Sequence, residues 1–375
     1  MRNDRGSGAK APCYWLLIFF ALFSNIAQAA DFAAVTPGRS FQFPRDHGAH
    51  PEFKTEWWYF TGHLQDGGGK TYGFQWTVFR SGLRPPAGES RPSASPWRAE
   101  QIFLGHLAVS ELDEKRFHFE EGAARAAFGL AGAETESFRV WLPGFSAETA
   151  GDQTRIRGEK GEWSLDLSMK LPDSAWLQGQ GGYSPKSREP GKASYYYSLP
   201  GLAVSGTLKK GSREIPVHGQ AWMDHEFGSG QLGPEQSGWD WMGLPLGQGE
   251  ALMVYRLRDR RDPAKDFLYG GFFQSQGHWQ SLAAGDLRVE AGGFWRSPRS
   301  GGNYPLEWRI QVPKLGLDLK ARAAFPDQEL DTRKSTQVTY WEGSVEISGH
   351  RGSRPVKSKG YLEMTGYARS FEQDL

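Results

Sequence analysis

The 375-residue sequence predicts an all-β fold made of two antiparallel β-barrels, and three observations support that class. Glycine accounts for 48 residues that are scattered through aromatic-rich sequence, as is typical of short strands joined by tight turns. Apolar and polar residues alternate in several segments, which is the pattern of a half-buried strand. Segments with the spacing of an amphipathic helix are scarce, so few and short helices are expected.

The alternating segments follow one another along the whole chain. They are KTYGFQWTVF at 70–79, FRVWL at 138–142, WSLDLSM at 163–169, LEWRIQV at 306–312 and GSVEIS at 343–348. Turn sequences such as QDGGG at 65–69 and SGGN at 300–303 lie between them. Two further segments, 83–96 and 178–192, are predicted to be long loops because they are rich in proline, glycine or polar residues.

The first 29 residues have the composition of an export signal. Arg2, Arg5 and Lys10 precede an apolar run at 14–23, and the small-x-small sequence AQA at 27–29 provides a cleavage site. The run is too short for a stable membrane anchor, and no later stretch of about 20 apolar residues follows. We therefore expect a periplasmic or secreted protein that does not span the membrane once the signal is removed.

The composition of the processed chain excludes several classes of function. Removal of the signal takes away three basic residues and one acidic residue, so that 44 Lys and Arg against 43 Asp and Glu become 41 against 42. A basic nucleic-acid-binding face receives no support from this balance. The single cysteine, Cys13, lies within the signal, which excludes a disulfide framework, a cysteine nucleophile and a cysteine-ligated zinc site. We predict no cofactor and no metal.

The mature chain is long enough for two domains. With the signal at 1–29, the polar and glycine-containing stretch at 211–216 divides the rest into an N-terminal domain at 30–212 and a C-terminal domain at 213–375. In each domain about eight to ten antiparallel strands can close into a barrel whose mouth holds one small ligand.

Several sequence blocks occur in a characteristic order. They are DHGAHP at 46–51, EWWYFTGH at 56–63, WMDHEFG at 222–228, GWDW at 238–241, and YWEGSV at 340–345 with GYLEMTG at 360–366. Together they resemble the AttH-like family, which includes the carotenoid 1,2-hydratases (hydroxyneurosporene synthases) and many exported proteins called predicted hydrolases. The resemblance runs from about 41 to 367 and implies two lipocalin-like barrels packed together. A serine hydrolase is the least supported activity, because no Gly-x-Ser-x-Gly elbow is present.

The block at 222–228 contains the strongest candidates for catalytic residues. If it is extended, Trp222, Asp224 and Glu226 point to one face and the residues between them to the other. Burying these acids is costly unless they are paired. One interpretation is a proton donor and acceptor inside an apolar cavity, which suits hydration of an alkene through a carbocation stabilised by an aromatic face. The other is a satisfied polar network between the barrels.

The resemblance implies catalytic roles for part of this block. Carotenoid hydratases carry an Asp-His-x-Trp-Gly motif, which Asp224, His225 and Gly228 match, with Phe227 in place of tryptophan. Their later Tyr-x-Asp pair is matched at Tyr255, whereas leucine occupies the position of the aspartate. The predicted catalytic residues are therefore Asp224, His225 and Tyr255.

Aromatic and acidic residues in the same blocks are predicted to bind an apolar ligand that has a polar end. They are Glu56, Trp57, Trp58, Tyr59, Trp222, Glu226, Phe227, Trp239 and Trp241. Two alternatives stay open for the N-terminal blocks: Trp57 or Trp58 could close a barrel end with Arg80, and the sequence DHGAHPE at 46–52 has the ligand types of a zinc site.

The sequence thus predicts an exported lipocalin-like protein that binds a hydrophobic, isoprenoid or lipid-like molecule, with a hydro-lyase activity on a carbon–carbon double bond. The alternative is a non-enzymatic periplasmic lipid carrier, or an accessory factor of an envelope ABC transporter, since the resemblance includes relatives encoded beside transporter permeases. No nucleic-acid partner is predicted.

Overall fold

The computed structural model describes residues 31–86, 98–188, 191–230, 233, 235–274 and 278–369. The predicted export signal and most of the predicted loop at 83–96 lie outside the described residues. The chain from Asp31 onward forms one compact unit. Within the described residues, no helix has the length and apolar character needed to cross a membrane.

Thirteen strands form the first sheet, which is antiparallel throughout. In chain order they are β1 (Thr55–Asp66), β2 (Thr71–Gly82), β3 (Gln101–Glu111), β4 (Arg116–Arg125), β5 (Gly132–Ala133), β6 (Arg139–Leu142), β7 (Phe145–Ala150), β8 (Gln153–Lys160), β9 (Trp163–Met169), β10 (Trp176–Leu177), β11 (Tyr183–Pro185), β12 (Ala193–Lys210) and β13 (Arg213–Gly228). Their spatial order is β4-β3-β2-β1-β13-β12-β9-β8-β7-β6-β5, and β10 and β11 pair with β12.

Ten further strands form the second antiparallel sheet. They are β14 (Gln236–Gly247), β15 (Glu250–Asp259), β16 (Phe267–Phe273), β17 (Trp279–Leu282), β18 (Arg288–Arg296), β19 (Asn303–Val312), β20 (Leu317–Ala323), β21 (Glu329–Thr332), β22 (Val338–Arg351) and β23 (Arg354–Met364). The order is β17-β16-β15-β14-β23-β22-β20-β19-β18, with β21 on β22. Four single-turn 3-10 helices occur in the described residues, at Arg45–His47, Pro263–Lys265, Ala284–Asp286 and Pro313–Leu315.

Each sheet curls around its own apolar core. In the first sheet, the Trp76 indole N–H on β2 donates to the Arg157 carbonyl on β8 at 2.8 Å, although these strands are not neighbours. Gly105 on β3 faces the Phe145 ring on β7 so closely that a Cβ would lie 2.7 Å from it. In the second sheet, the Arg256 guanidinium on β15 lies 5.0 Å from the Trp308 ring on β19. The predicted all-β, lipocalin-like class is confirmed.

The two sheets pack against each other through a mixed aromatic and polar layer, which we call the seam. The Trp241 indole N–H on β14 donates to the Tyr196 hydroxyl on β12 at 3.0 Å. His63 on β1 and Ser344 on β22 are hydrogen-bonded at 2.8 Å. The alternation of each strand therefore separates a barrel-core face from a seam face.

The chain passes from the first sheet to the second later than the predicted domain boundary. Position 212 lies in the hairpin between β12 and β13, where Lys210 pairs with Arg213. Strand β13 then pairs with β1 over twelve positions, from Val217 to Gly228. The change of sheet falls between β13 and β14, and the division into folding domains at 212 stays a prediction. The predicted loop at 178–192 also contains the short strand β11.

Candidate functional site

Strand β13 separates two chemically distinct regions. Trp222, Asp224 and Glu226 face the seam, as the alternation predicts. His225 lies on the opposite face of the strand, toward the first sheet, and Trp58 on β1 stacks on its ring at a centroid distance of 5.0 Å. The alternation in the sequence therefore assigns these side chains to the correct faces, because side-chain direction in a strand depends on the local backbone geometry.

A cavity of about 380 Å³ opens in the seam, and we call it the seam cavity. Both sheets line it, so the ligand-sized space lies between the barrels rather than at the mouth of one of them. Its aromatic lining consists of Trp57, Tyr59, Phe79, Tyr196, Trp239, Trp241, Tyr255 and Tyr340. Such a lining suits a ligand with a large apolar part.

Asp224 is the acid held most firmly at this cavity. Its carboxylate accepts hydrogen bonds from Ser198 Oγ at 2.5 Å, Tyr196 OH at 2.6 Å and Trp222 Nε1 at 2.7 Å. Burial raises the pKa of Asp224 to about 7; the three hydrogen bonds oppose the increase and the Glu226 charge adds to it. A carboxyl group in this state can give or take a proton near neutral pH.

Glu363 provides a second such group from the other sheet. It lies on β23 next to Trp241, whose other cross-strand neighbour is Tyr255. Burial raises the pKa of Glu363 to about 7; a hydrogen bond from Trp239 opposes the increase and the charge of Asp224 adds to it. The Asp224 charge therefore favours the protonated form of Glu363.

Glu226 has a different environment because it is neutralised. Its carboxylate accepts hydrogen bonds from Lys186 Nζ at 2.7 Å and from Ser194 Oγ at 2.5 Å. The Lys186 ammonium also lies over the Tyr196 and Tyr255 rings, 4.8 Å and 4.5 Å from their centroids. The cavity wall thus already uses aromatic faces to hold a positive charge.

Glu342 on β22 is the remaining buried acid of the cavity. Burial and the charge of Glu363 raise its pKa well above the ordinary value, and the nearby Tyr59 and Tyr340 hydroxyls only moderate the increase. Within the described residues, neither of its carboxyl oxygens has a partner with hydrogen-bond geometry. Burial therefore favours the protonated form of Glu342.

On the barrel-core side, a hydrogen-bonded network surrounds Glu56, in which Arg80 Nη1 is left without a partner among the described residues. Its carboxylate accepts hydrogen bonds from Arg80 Nε at 2.8 Å, His50 Nδ1 at 2.8 Å and His225 Nε2 at 2.9 Å. Burial alone would raise the pKa of Glu56, but Arg80 and the two histidines outweigh it and hold this pKa well below its usual range. Burial lowers the pKa of His225, although the hydrogen bond to Glu56 opposes that shift. We call these four residues the Glu56 network.

The same cluster is the group whose donor atoms could converge on a metal ion. One donor atom each from His50, Glu56 and His225 lie within 4.8 Å of one another. However, His50 Nε2 is bonded to Asp46 Oδ1 at 3.0 Å, and Arg80 occupies the second oxygen of Glu56. The donors are thus matched among themselves, and a guanidinium already balances the carboxylate, which fits a hydrogen-bonded network better than a cation site.

Most of the predicted site residues meet at the seam cavity, and four do not line it. Asp224, Tyr255, Trp57, Tyr59, Glu226, Trp239 and Trp241 line it, and Glu56 borders it with its carboxylate turned into the Glu56 network. Trp222 does not line the cavity, and its indole N–H donates a hydrogen bond to the Asp224 carboxylate. His225, Trp58 and Phe227 pack on the barrel-core face, because residues next to each other on a strand point in opposite directions.

Two acids and one lysine of the cavity were not predicted from the sequence. Glu342 and Glu363 lie within the quoted blocks at 340–345 and 360–366, where an acid among apolar strand residues was the available signal. Lys186 lies in the segment predicted to be a loop, beside β11. Its role depends on a partner forty residues away in the chain, so no local pattern marks it.

Solved structures with the same fold include three informative neighbours. An AttH-type protein from Nitrosomonas europaea is 33% identical, with 89% of this chain and 99% of that chain covered and a TM-score of 0.79. Kievitone hydratase from Nectria haematococca is 14% identical, with 91% and 97% covered and a TM-score of 0.68. CghA bound to Sch210972 is 13% identical, with 84% and 88% covered and a TM-score of 0.53. The latter two show the fold alone.

Comparison with protein families agrees with the first of these neighbours. Curated proteins gave no sequence match. The AttH-like family model matches residues 34–367, which is nearly the whole described chain. The protein therefore belongs to the AttH-like family.

Proposed function

We propose that the protein is an exported hydro-lyase that adds water across a carbon–carbon double bond of an isoprenoid or lipid-like molecule bound in the seam cavity. The observation that carries this proposal is the Asp224 carboxyl: it is buried, fixed by three hydrogen bonds and protonated in part near neutral pH, and it faces an aromatic-lined space. The signal predicted at 1–29 makes a periplasmic or secreted location part of the proposal.

The reaction needs one proton donor, one proton acceptor and one water. Asp224 gives its proton to the less substituted alkene carbon, so that the π electron pair forms the new C–H bond and leaves a tertiary cation. Water then forms the C–O bond, and the carboxylate of Glu363 takes the proton that water releases. Atoms and charge balance with water as the sole co-reactant, and proton exchange between the two acids restores the starting state.

Aromatic side chains would stabilise the cation between these steps. Trp241 and Tyr255 are cross-strand neighbours on the seam face, and Trp239 hydrogen-bonds Glu363. Ring faces attract a cation most strongly where water is excluded. The Lys186 ammonium over the Tyr255 ring is an example of this attraction within the same wall.

The position of the second acid differs from the motif that the resemblance implies. Where a Tyr-x-Asp pair is expected, Leu257 lines the cavity and Asp259 instead accepts the backbone N–H groups of Arg261 and Asp262 in a turn. Glu363, two strands away from Tyr255, is the acid available to replace it. One structural neighbour is a hydratase, which supports the same class of reaction.

The test is turnover of an isoprenoid alkene by the full exported chain in water enriched in heavy oxygen. We expect farnesol to gain one labelled water, detected by mass spectrometry after organic extraction. Asp224→Asn should reduce the rate about 10²- to 10⁴-fold, which is the usual contribution of a general acid. Asp166→Asn is the matched control, because Asp166 is paired with Arg155 on the outside of the first sheet.

Two results would contradict the proposal. Full turnover by Asp224→Asn would remove the assigned acid. Extraction of a stoichiometric lipid or isoprenoid that stays unchanged on incubation would instead favour the carrier alternative.

A further inference from the structure

Unsatisfied polar atoms are concentrated at one part of the seam cavity. Among the described residues, the buried side-chain atoms without a hydrogen-bond partner include both carboxyl oxygens of Glu342, the Tyr59 hydroxyl and Gln75 Oε1. All three side chains line the seam cavity and are at most 7% exposed. Folded proteins rarely leave such atoms unpaired, so a group of them facing one space requires an explanation.

The strand geometry brings these atoms together. Tyr59 on β1 is paired with Thr77, and Gln75 is two residues away on the same face of β2. Glu342 approaches from β22 in the other sheet. The Tyr59 hydroxyl makes a weak contact with its carboxyl that shifts the pKa of both groups, but this contact falls outside full hydrogen-bond geometry. The donor side of Gln75 is already used, because Nε2 donates to Thr77 Oγ1 at 2.9 Å.

The neighbouring polar groups of this wall are satisfied. His106 Nδ1 bonds the Tyr340 hydroxyl at 2.8 Å, and its Nε2 bonds Ser335 Oγ at 2.9 Å. Among the described residues that line the seam cavity, Arg80 Nη1 is the other buried side-chain atom without a partner, and it belongs to the Glu56 network rather than to the group around Glu342.

We propose that Glu342, Tyr59 and Gln75 form a subsite that binds a hydroxyl group at the polar end of the apolar ligand. This proposal rests on the proposed function and specifies its substrate class as an isoprenoid alcohol or phenol. A hydroxyl both donates and accepts, as these three groups together require: Gln75 Oε1 accepts, whereas a protonated carboxyl and a tyrosine hydroxyl do either. The raised pKa of Glu342 is consistent with a neutral ligand rather than a cationic one.

The experiment compares probes that share one apolar body. Binding of farnesol, farnesyl methyl ether and farnesylamine to the full chain is measured by quenching of tryptophan fluorescence, since three tryptophans line the cavity. We expect farnesol to bind about ten-fold or more tighter than the methyl ether, because a ligand without the donor leaves buried groups unpaired. Tightest binding of farnesylamine would overturn the assignment in favour of a cation subsite.

Variants connect the preference to these residues. Tyr59→Phe and Glu342→Met should each reduce the preference for farnesol over the ether to less than about three-fold, a loss comparable to one hydrogen bond. Tyr304→Phe is the matched control: its hydroxyl is also buried with contacts that fall outside full hydrogen-bond geometry, but it lies in the core of the second sheet. The control should keep the wild-type preference.

The outcomes separate this inference from the proposed function. Equal affinity for farnesol and its ether in the wild type, or an unchanged preference in Tyr59→Phe and Glu342→Met, would overturn the subsite even if both probes were hydrated. A preference for farnesol that depends on Glu342, with no hydration by the wild type, would support the subsite and remove the hydro-lyase activity. Failure of all three probes to bind would overturn both.

Discussion

The Glu56 network and the acids of the seam cavity bury the same chemical group with opposite results. Glu56 accepts hydrogen bonds from a guanidinium and two imidazoles, and its pKa is held well below the usual range. Among the described residues, Glu342 has only weak contacts with the Tyr59 and Tyr340 hydroxyls, outside full hydrogen-bond geometry, and burial raises its pKa. Burial raises the pKa of both acids, so the partners alone decide the charge state.

The two regions share the same two strands. Glu56 and Trp57 on β1 face opposite sides, as do Asp224 and His225 on β13, and Trp57 is paired with Glu226 across the two strands. On one face of this strand pair, the charged groups of the Glu56 network pair with each other, and this pairing stabilises the first barrel. On the other face, Asp224 has a raised pKa. Such a value suits proton transfer in catalysis but lowers the stability of the fold.

The largest effect on stability is expected at the Glu56 network. Arg80→Met would leave the Glu56 carboxylate buried without its guanidinium, and breaking a buried pair in this way costs about 3–5 kcal/mol of the free energy of unfolding. Urea unfolding followed by tryptophan fluorescence measures the loss. A cost below about 1 kcal/mol would mean that the network is not structural.

The control for this variant is an ion pair on the surface. Arg309 and Asp318 are bonded at 2.8 Å while their side chains are 47% and 25% exposed. Arg309→Met should change the free energy of unfolding by about 1 kcal/mol or less, because water already solvates both charges.

A change of opposite sign is expected at the seam cavity. Glu342→Met removes an unsatisfied buried carboxyl at similar side-chain volume, so the free energy of unfolding should increase by about 1–3 kcal/mol. Glu342→Gln keeps an unpaired polar group at the same place and should give no such gain. Destabilisation by the methionine variant would show that Glu342 supports the fold, and the contrast between the two regions would fail.

The sequence predicts the parts of this comparison that depend on local alternation. The separation of Asp224 and Glu226 from His225 follows from the two-residue period of a strand. Which face borders a cavity does not follow, because that depends on how the second sheet packs on the first. The structure places His225 in the Glu56 network, and its catalytic role stays a prediction.

Long-range pairing explains the other differences. Strand β14 lies between β15 and β23, so Glu363 approaches Tyr255 only through sheet order, about a hundred residues apart in the chain. Each sheet uses a contiguous part of the chain, but the change of sheet falls after β13 rather than near the predicted boundary at 212. Strand β13 instead completes the first sheet beside β1, because its apolar positions at Met223 and Phe227 belong to that side.

The smallest predicted effect is a difference in pH dependence between the two regions. The pKa of Asp224 is raised from 3.8 to about 7, so between these values the folded protein keeps a proton that the unfolded chain releases. Its contribution to stability is full below about pH 4 and is lost as the pH rises toward 7, by at most about 1.4 kcal/mol per pH unit. Glu56 has the opposite sign: its lowered pKa stabilises the fold above the unfolded value of 4.5 and that stability is lost as the pH falls.

Asp224→Asn should therefore flatten the decline in the free energy of unfolding between about pH 4 and pH 7. Arg80→Met should leave that decline in place and remove stability above about pH 4.5, with a loss that shrinks as the pH falls below that value. Urea titrations of the wild type and both variants at several pH values measure the slopes. An Asp224→Asn slope equal to that of the wild type would mean that Asp224 is already ionised at pH 5. It would then have no proton to give at neutral pH, and the assignment of Asp224 as the acid would fail together with the contrast between the two faces of β13.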